Sequence, residues 1–293
     1  MASDVSRGTE PTPVMLMDDA DFPAGFEYVA SNVWATPSAP RDDDVGCSCP
    51  PGVPCDPTTC ACCRNADGLP AYDAEGLLRL GVSIPADDDY DDDDDDDDGR
   101  GFAFFRECGP SCRCSRDCPN RASTRGVSVR LSIRPTSCGL GVFAEEPIVA
   151  GRRVCGYFGE VVSAEEAARR VAASDARPGA SHYVLAVRRA PADDAEDRGD
   201  VSWIDPTTRG NVGRWLNHSC DGGNLTTVLT RSAGESASRV VFHARRDIAS
   251  GTELRWRYGK PRGEGEGGEG GRRCACGTSA CRGWMPFDDH GER

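Results

Sequence analysis

Residues 214–225 read RWLNHSCDGGNL, and ELRWRYG follows at 253–259. The second stretch alternates, and the two-residue period of a strand puts Leu254, Trp256 and Tyr258 on one face. The first contains Cys220, which has no cysteine near it in sequence. Beyond ELRWRYG, Gly and Glu alternate loosely over 263–271 as a flexible linker. That linker leads into CACGTSAC at 274–281. Cys274, Cys276 and Cys281 fall one short of the four thiolates that close a tetrahedral zinc site. Cys220 is the natural fourth, and a zinc held this way pins the tail of the chain beside Asn217 and His218.

Upstream, Cys47, Cys49, Cys55, Cys60, Cys62 and Cys63 form one cluster and Cys108, Cys112, Cys114 and Cys118 a second. CxC pairs are poorly spaced for mutual disulfides but suit thiolates that share metals. The pattern CxCx5Cx4CxC followed by Cx3CxCx3C supplies nine ligands and leaves Cys63 spare. About three tetrahedral zincs need about twelve ligand places, which six sulfurs used once and three used twice provide. Independent single-zinc sites are the alternative, although those usually show CxxC pairs. Cys138 and Cys155 read as ordinary small thiols. The opening MASDVSRGTEPTPVMLMDD lacks the pattern of a signal peptide, and no run approaches the roughly 20 apolar residues of a membrane span. A non-secreted chain with reduced, metal-bound cysteines is therefore expected.

Hydrophobic residues make up 38% of the 293 and aromatics 7%, so the apolar core is expected to be modest. The net charge of −14 is concentrated, because Asp87, Asp88, Asp89 and Asp91 to Asp98 contribute 11 carboxylates and leave −14 + 11 = −3 for the rest. No Lys/Arg stripe tracks a phosphate backbone, so direct sequence-specific DNA binding is not expected. The acidic run either steers a basic substrate at low salt or is simply a solvated loop.

Residues 1–46 read as an irregular arm that packs on something, and 47–121 as a zinc-cluster module carrying an acidic insertion at 87–98. From 122 to 259 the chain turns to short strands: VSVRLSI (127–133), GVFAEE (141–146), RVCGYFGEVV (153–162), HYVLAV (182–187), RVVFHA (239–244) and TELRWRY (252–258). One helix is signalled, since Ser163 and Glu166 form a capping box ahead of AEEAARRVAA. A linker at 260–273 and a second zinc module at 274–293 complete a mainly β chain with few helices.

With these landmarks the sequence resembles the SET-domain protein lysine methyltransferases, in the subclass with pre-SET and post-SET zinc modules that methylates lysine 9 of histone H3. The resemblance covers about 20–285 and rests on the nine-cysteine pattern, CPNR (118–121), GLGVFA (139–144), GYFGEVVSAEEA (156–167), RWLNHSCDGGNL, ELRWRYG and CACGTSACRGW (274–284). It implies small β-sheets with a knot-like threading near the active site, S-adenosylmethionine as methyl donor, zinc in both flanking modules, and a histone H3 tail on chromatin in the nucleus as substrate. It casts Tyr258 as the catalytic tyrosine and Tyr183 as a second hydroxyl at the lysine nitrogen and the cofactor. Asn217 and His218 match the cofactor-binding pair, Arg214 is a further candidate for that pocket, and Gly139 and Gly141 suit close backbone approach to the cofactor.

Methyl transfer to lysine requires a neutral amine, and deprotonation at pH 7 from a pKa of about 10.4 costs about 4.6 kcal/mol. No general base is evident near NHSC or WRYG. A sulfonium cation nearby, which disfavours the ammonium form, and a channel that holds the amine in line are expected to serve instead. Leu140 stands where the family usually has an aromatic cofactor contact, and Trp256 where it carries Phe or Tyr as a product-specificity switch. The extra bulk of Trp256 predicts mono- or dimethylation over trimethylation. The same two departures keep open a scaffold that has lost turnover and only binds chromatin partners, and a non-histone lysine substrate is a third reading.

Overall fold

The computed structural model describes residues 2–17, 21–34, 46–62, 64, 68–80, 103–176, 183–188, 201–235, 238–259 and 272–286. Cys63, the acidic run at 87–98 and most of the 260–273 linker lie outside them. The short Val-rich segments form strands because each has one buried face and is punctuated by Gly or Pro.

Those strands make three sheets. In chain order they are β1 (Ser3–Asp4), β2 (Val14–Leu16), β3 (Glu27–Tyr28), β4 (Val33–Trp34), β5 (Ala103–Glu107), β6 (Leu131–Thr136), β7 (Gly139–Ala144), β8 (Arg153–Tyr157), β9 (Gly159–Val162), β10 (Leu185–Arg188), β11 (Val201–Gly210), β12 (Asn217–His218), β13 (Leu225–Ser232), β14 (Ser238–Ala244) and β15 (Glu253–Trp256). The first sheet runs β1-β2-β6-β7-β15-β12, the second β10-β11-β9-β4 with β3 also on β11, and the third β5-β13-β14-β8. Val, Leu and Ile from all three, among them Val14, Leu131, Ile133, Val142, Ile204, Val240 and Leu254, fill one core.

The expectation of an irregular arm at 1–46 is corrected in one respect. Its described part supplies four strands, with β2 parallel to β6, β3 to β11 and β4 to β9. At two or three residues each, these strands are too short to show a period. Strand β5 pairs in parallel with β13, so the zinc-cluster module shares a sheet with the segment that follows it. That seam is closed by Glu107, fully buried, which accepts from the Tyr72 hydroxyl at 2.6 Å and the Ser123 hydroxyl at 2.6 Å.

The signalled helix, α1, spans Ala164–Asp175. Ser163 Oγ accepts from the Glu166 amide at 3.2 Å, whereas the Glu166 carboxylate turns to Arg169 and Arg170 rather than back to the cap. Only half of the capping box forms. Strand β11 escapes the sequence pattern because Pro206 interrupts it, and its register with β9 shifts between Asp205 and Gly210.

The segment 217–224 is laced along β15. Strand β12 pairs with it in parallel, the Ser219 amide donates to the Trp256 carbonyl at 2.9 Å, and the Asn224 amide to the Arg255 carbonyl at 3.1 Å. Asn224 Nδ2 adds a bond to the Glu253 carbonyl at 2.8 Å. Gly223 sits at φ +74°, and a Cβ there would meet the Arg255 carbonyl oxygen at 2.3 Å. Only glycine permits this crossing, which brings NHSC against WRYG.

Candidate functional site

Strand alternation turns Leu254 and Trp256 inward, where both are buried, and carries Tyr258 to the end of the same face. The Trp256 ring lies 5.0 Å from Phe242 and 5.1 Å from Tyr258. The Tyr258 hydroxyl donates to the Leu216 carbonyl at 2.7 Å, and its amide donates to His218 Nδ1 at 3.2 Å. Tyr157 joins this aromatic group, 6.5 Å from Phe242, and its hydroxyl donates to the Tyr183 carbonyl at 2.5 Å. Burial raises the Tyr157 pKa well above the ordinary 10.0, so the phenol stays protonated. The sequence reading passed over Tyr157; its place between glycines in GYFGEV, opposite the strand end of WRYG, was the available signal.

Each hydroxyl has one proton and two lone pairs. With the proton committed to a carbonyl, the Tyr258 and Tyr157 oxygens remain as acceptors, which suits a neighbourhood where positive charge approaches. His218 offers no general base. Its Nδ1 accepts the Tyr258 amide, its Nε2 lies 3.3 Å from Cys220 Sγ, and burial followed by the Arg257 charge lowers its pKa to about 4.

Asn217 and Leu140 meet: Asn217 Nδ2 donates to the Leu140 carbonyl at 3.2 Å and to Glu253 Oε1 at 2.8 Å. A Cβ on Gly141 would lie 2.7 Å from Glu253 Oε1 and 3.0 Å from Asn217 Nδ2, so a larger residue there would displace these side chains. Gly139, at φ +100° with nothing within 4 Å, faces open space. Arg214 is buried, Nη1 donates to the Pro206 and Thr207 carbonyls at 3.0 and 2.6 Å, and its guanidinium lies 4.1 Å from the Tyr183 ring and 4.9 Å from Phe26. It therefore holds Tyr183 from beneath and ties the N-terminal arm to RWLNHSC. His218 lines a shallow, open groove together with Cys220, Arg257, Gly259, Arg282, Trp284 and Pro286. Trp284 and Arg282, from the last zinc module, were not singled out from sequence.

The thirteen candidate ligands can be tested against zinc geometry. A zinc with four sulfurs at about 2.3 Å separates them by about 3.8 Å, against about 2.05 Å in a disulfide. Cys47–Cys55, Cys55–Cys108, Cys60–Cys108 and Cys62–Cys112 are 3.7, 3.8, 3.8 and 3.6 Å apart. Three quartets gather within 4.8 Å: Cys47, Cys62, Cys108, Cys112; Cys47, Cys55, Cys60, Cys108; and Cys55, Cys108, Cys114, Cys118. Cys47 and Cys55 each recur in two quartets and Cys108 in all three, so these are the three sulfurs that metals share. Cys49, whose thiol is pushed up to about 11 by burial, lies beside Cys55, Cys60 and Cys47 of the middle set. The Cys47 and Cys55 amides donate to Cys112 and Cys118 sulfurs at 3.3 and 3.4 Å, and Arg121 to Cys114 at 3.5 Å, as thiolates require. Cys220, Cys274, Cys276 and Cys281 form the fourth quartet, with Cys220 and Cys274 3.6 Å apart. The donor sets fit zinc in both modules. Cys155 is fully buried and pushed up to about 12 by that burial, whereas Cys138 is exposed.

A Pre-SET motif matches residues 6–121 and a SET domain residues 139–259. Histone-lysine N-methyltransferase SETMAR of Bos taurus is 30% identical over 302 residues, which cover 97% of this chain and 89% of the relative. The chain belongs to the SET-domain histone-lysine N-methyltransferase family. Within that family, SUVR3 of Arabidopsis thaliana is 39% identical over 188 residues, 62% of this chain and 52% of the relative, so the match spans about half of that protein. The methyltransferase domain of human SETMAR superposes with a TM-score of 0.72 at 29% identity, covering 97% of this chain and 98% of that one. KRYPTONITE in complex with mCHH DNA, a histone H3(1–15) peptide and SAH superposes at 0.68 with 25% identity, covering 97% and 53%.

Proposed function

We propose that this SET-domain chain transfers a methyl group from S-adenosylmethionine to a lysine amine in the tail of histone H3, at lysine 9, on chromatin in the nucleus. The observation that carries the reading is the pair of acceptor phenol oxygens, Tyr258 against the indole of Trp256 and Tyr157 linked to it through Phe242, next to the groove that His218 lines. The donor supplies an electrophilic methyl on a positively charged sulfur. Tyr258 is the catalytic tyrosine: its oxygen, already donating to Leu216, accepts from the polarised methyl and orients the amine. Tyr183, clamped by Arg214 and by the Tyr157 hydroxyl, contributes a second hydroxyl at the nitrogen. Asn217 and His218, with Gly139, Leu140 and Gly141, hold the donor, and Trp284 forms the outer wall. No acid/base pair is required, because the phenols and the nearby positive charge keep the amine neutral and aligned.

Trp256 sets the degree of methylation. Packed between Phe242 and Tyr258, the indole fills space that a methylated amine needs in order to rotate, so the product is mono- and dimethyl-lysine. Wild-type enzyme with an H3 tail peptide is expected to show no trimethyl product by mass spectrometry, and Trp256→Phe to produce it; trimethylation by the wild type sinks this part of the reading. The reaction itself is tested with labelled donor and H3 peptides. Label enters the wild-type peptide, is absent when lysine 9 is replaced by arginine, and falls by roughly 100-fold or more with Tyr258→Phe, the size of loss expected for a group acting at the transition state. Absence of label with every H3 peptide overturns the proposal. Lys260 is the only lysine in the chain, so label on the enzyme itself can report only that residue.

A further inference from the structure

The strand that lines the channel has a second face, and it carries two arginines, Arg255 and Arg257. Arg255 Nη1 donates to the carbonyl of Cys276 at 2.6 Å, and Arg257 Nη2 to the carbonyl of Cys220 at 3.3 Å. Both acceptors belong to the fourth zinc quartet. Cys138 Sγ adds a contact to the carbonyl of Ala275, between two of the ligands, at 3.5 Å. Arg255 is also fixed from its other side, where Nε donates to Glu253 Oε2 at 2.8 Å and Nη2 closes on the same oxygen. The other oxygen of Glu253 accepts from Asn217 Nδ2, which also holds the Leu140 carbonyl. One unbroken polar path therefore runs from a zinc ligand to Asn217 and Leu140: Cys276, Arg255, Glu253, Asn217, Leu140.

The guanidinium suits this place for a physical reason. Its planar fork reaches a carbonyl and a carboxylate at once, which the single ammonium of lysine cannot do. Four thiolates and one zinc leave a net charge of about −2, which neighbouring cations offset. Arg255 is three-quarters shielded and Glu253 more so, and hydrogen bonds between charged groups in such surroundings are among the stronger ones.

We propose that Arg255 and Glu253 are positioning residues that couple closure of the last zinc module to the cofactor pocket. By docking the Cys276 turn, Arg255 sets the wall that carries Arg282 and Trp284. Through Glu253 the same contact fixes the rotamer of Asn217. The inference rests on the reading of the groove as the donor site, so its test measures donor-site binding directly.

Wild type, Arg255→Ala and Arg255→Lys are compared by calorimetric titration with S-adenosylhomocysteine, by bound zinc per chain, by thermal unfolding, and by kcat at saturating donor. The expected result for Arg255→Ala is a rise in the dissociation constant of about tenfold, in line with the loss of a charge-assisted hydrogen bond. Zinc content and Tm stay at wild-type values, and kcat at saturation stays within about twofold, because no group at the reacting atoms has changed. Arg255→Lys, which can serve only one of the two partners, falls between. An unchanged dissociation constant in Arg255→Ala overturns the coupling, as does a loss of affinity that merely follows lost zinc or lowered Tm. Should the alanine variant not fold, the lysine variant carries the test, and wild-type affinity in it is the overturning result. Failure of the wild type to bind S-adenosylhomocysteine refutes the donor-site reading itself, and the coupling with it.

Discussion

The two zinc modules are built from the same chemistry and do different work. The first gathers its sulfurs from two segments, buries all but Cys49 almost completely, and shares three of them between metals. It stands beside a small apolar cluster of Ala71, Tyr72, Leu78 and Phe105 that seats the module on the β-sheets, and none of these residues lines the groove. The second takes three ligands from the chain's tail and the fourth from NHSC, with Cys274 and Cys281 only half-buried. It forms a wall of the groove and is held by Arg255 of β15 and by Arg257 just beyond it. A shared-sulfur cluster makes a rigid staple. A single site whose ligands are far apart in sequence makes a closure that can be weakened without unfolding the rest.

The largest contrast should come from Cys108→Ser. Cys108 belongs to all three quartets of the first module, so its loss is expected to release about three zincs and abolish the cooperative unfolding transition, since structural zinc supplies folding energy outright. Metal analysis and calorimetry check this; a folded variant that keeps its zincs would erase the distinction. Cys281→Ser comes next. It should release one zinc of about four, lower Tm by only a few degrees, and raise the donor dissociation constant by roughly tenfold or more, because the wall opens while the core remains. Global unfolding of that variant would place both modules in the same class.

The smallest effect sharpens the seam. His243 is fully buried, with its ring 5.9 Å from Tyr72 of the first module, and burial followed by the Arg153 charge lowers its pKa from 6.5 to about 3. As pH falls through 6.5 the unfolded chain takes up a proton there and the folded chain does not until about 3. Stability therefore declines with falling pH across that window, by about 1.4 kcal/mol per pH unit for each such residue. His243→Leu should make the slope of stability against pH shallower between about pH 6 and pH 4, where the native protein alone stays unprotonated. An unaltered slope in chemical denaturation would mean that the seam is not dry.

Much of the site was legible because it consists of spacings. The cysteine pattern forecast nine ligands, some of them shared between metals, and a distant fourth partner in Cys220, and the alternation of ELRWRYG placed Trp256 and Tyr258 on one face. Tyr157 escaped because a tyrosine on a strand is ordinarily packing, and only the crossing of 217–224 over β15 gives its neighbours meaning. The contacts of Arg214 and Trp284 could not be read for the same reason, since they are with residues remote in the chain: Phe26 and Tyr183 for one, the groove for the other.

Ligand count, strand period and the capping serine are properties of neighbours along the chain, and sequence alone determined them. Tertiary structure decided which carbonyl takes each tyrosine proton, which arginine grips which zinc turn, and that the short strands β1 to β4 of the N-terminal arm are woven into the sheets rather than lying on them. Those choices depend on distances between segments some twenty to more than a hundred residues apart, and no local pattern encodes such distances.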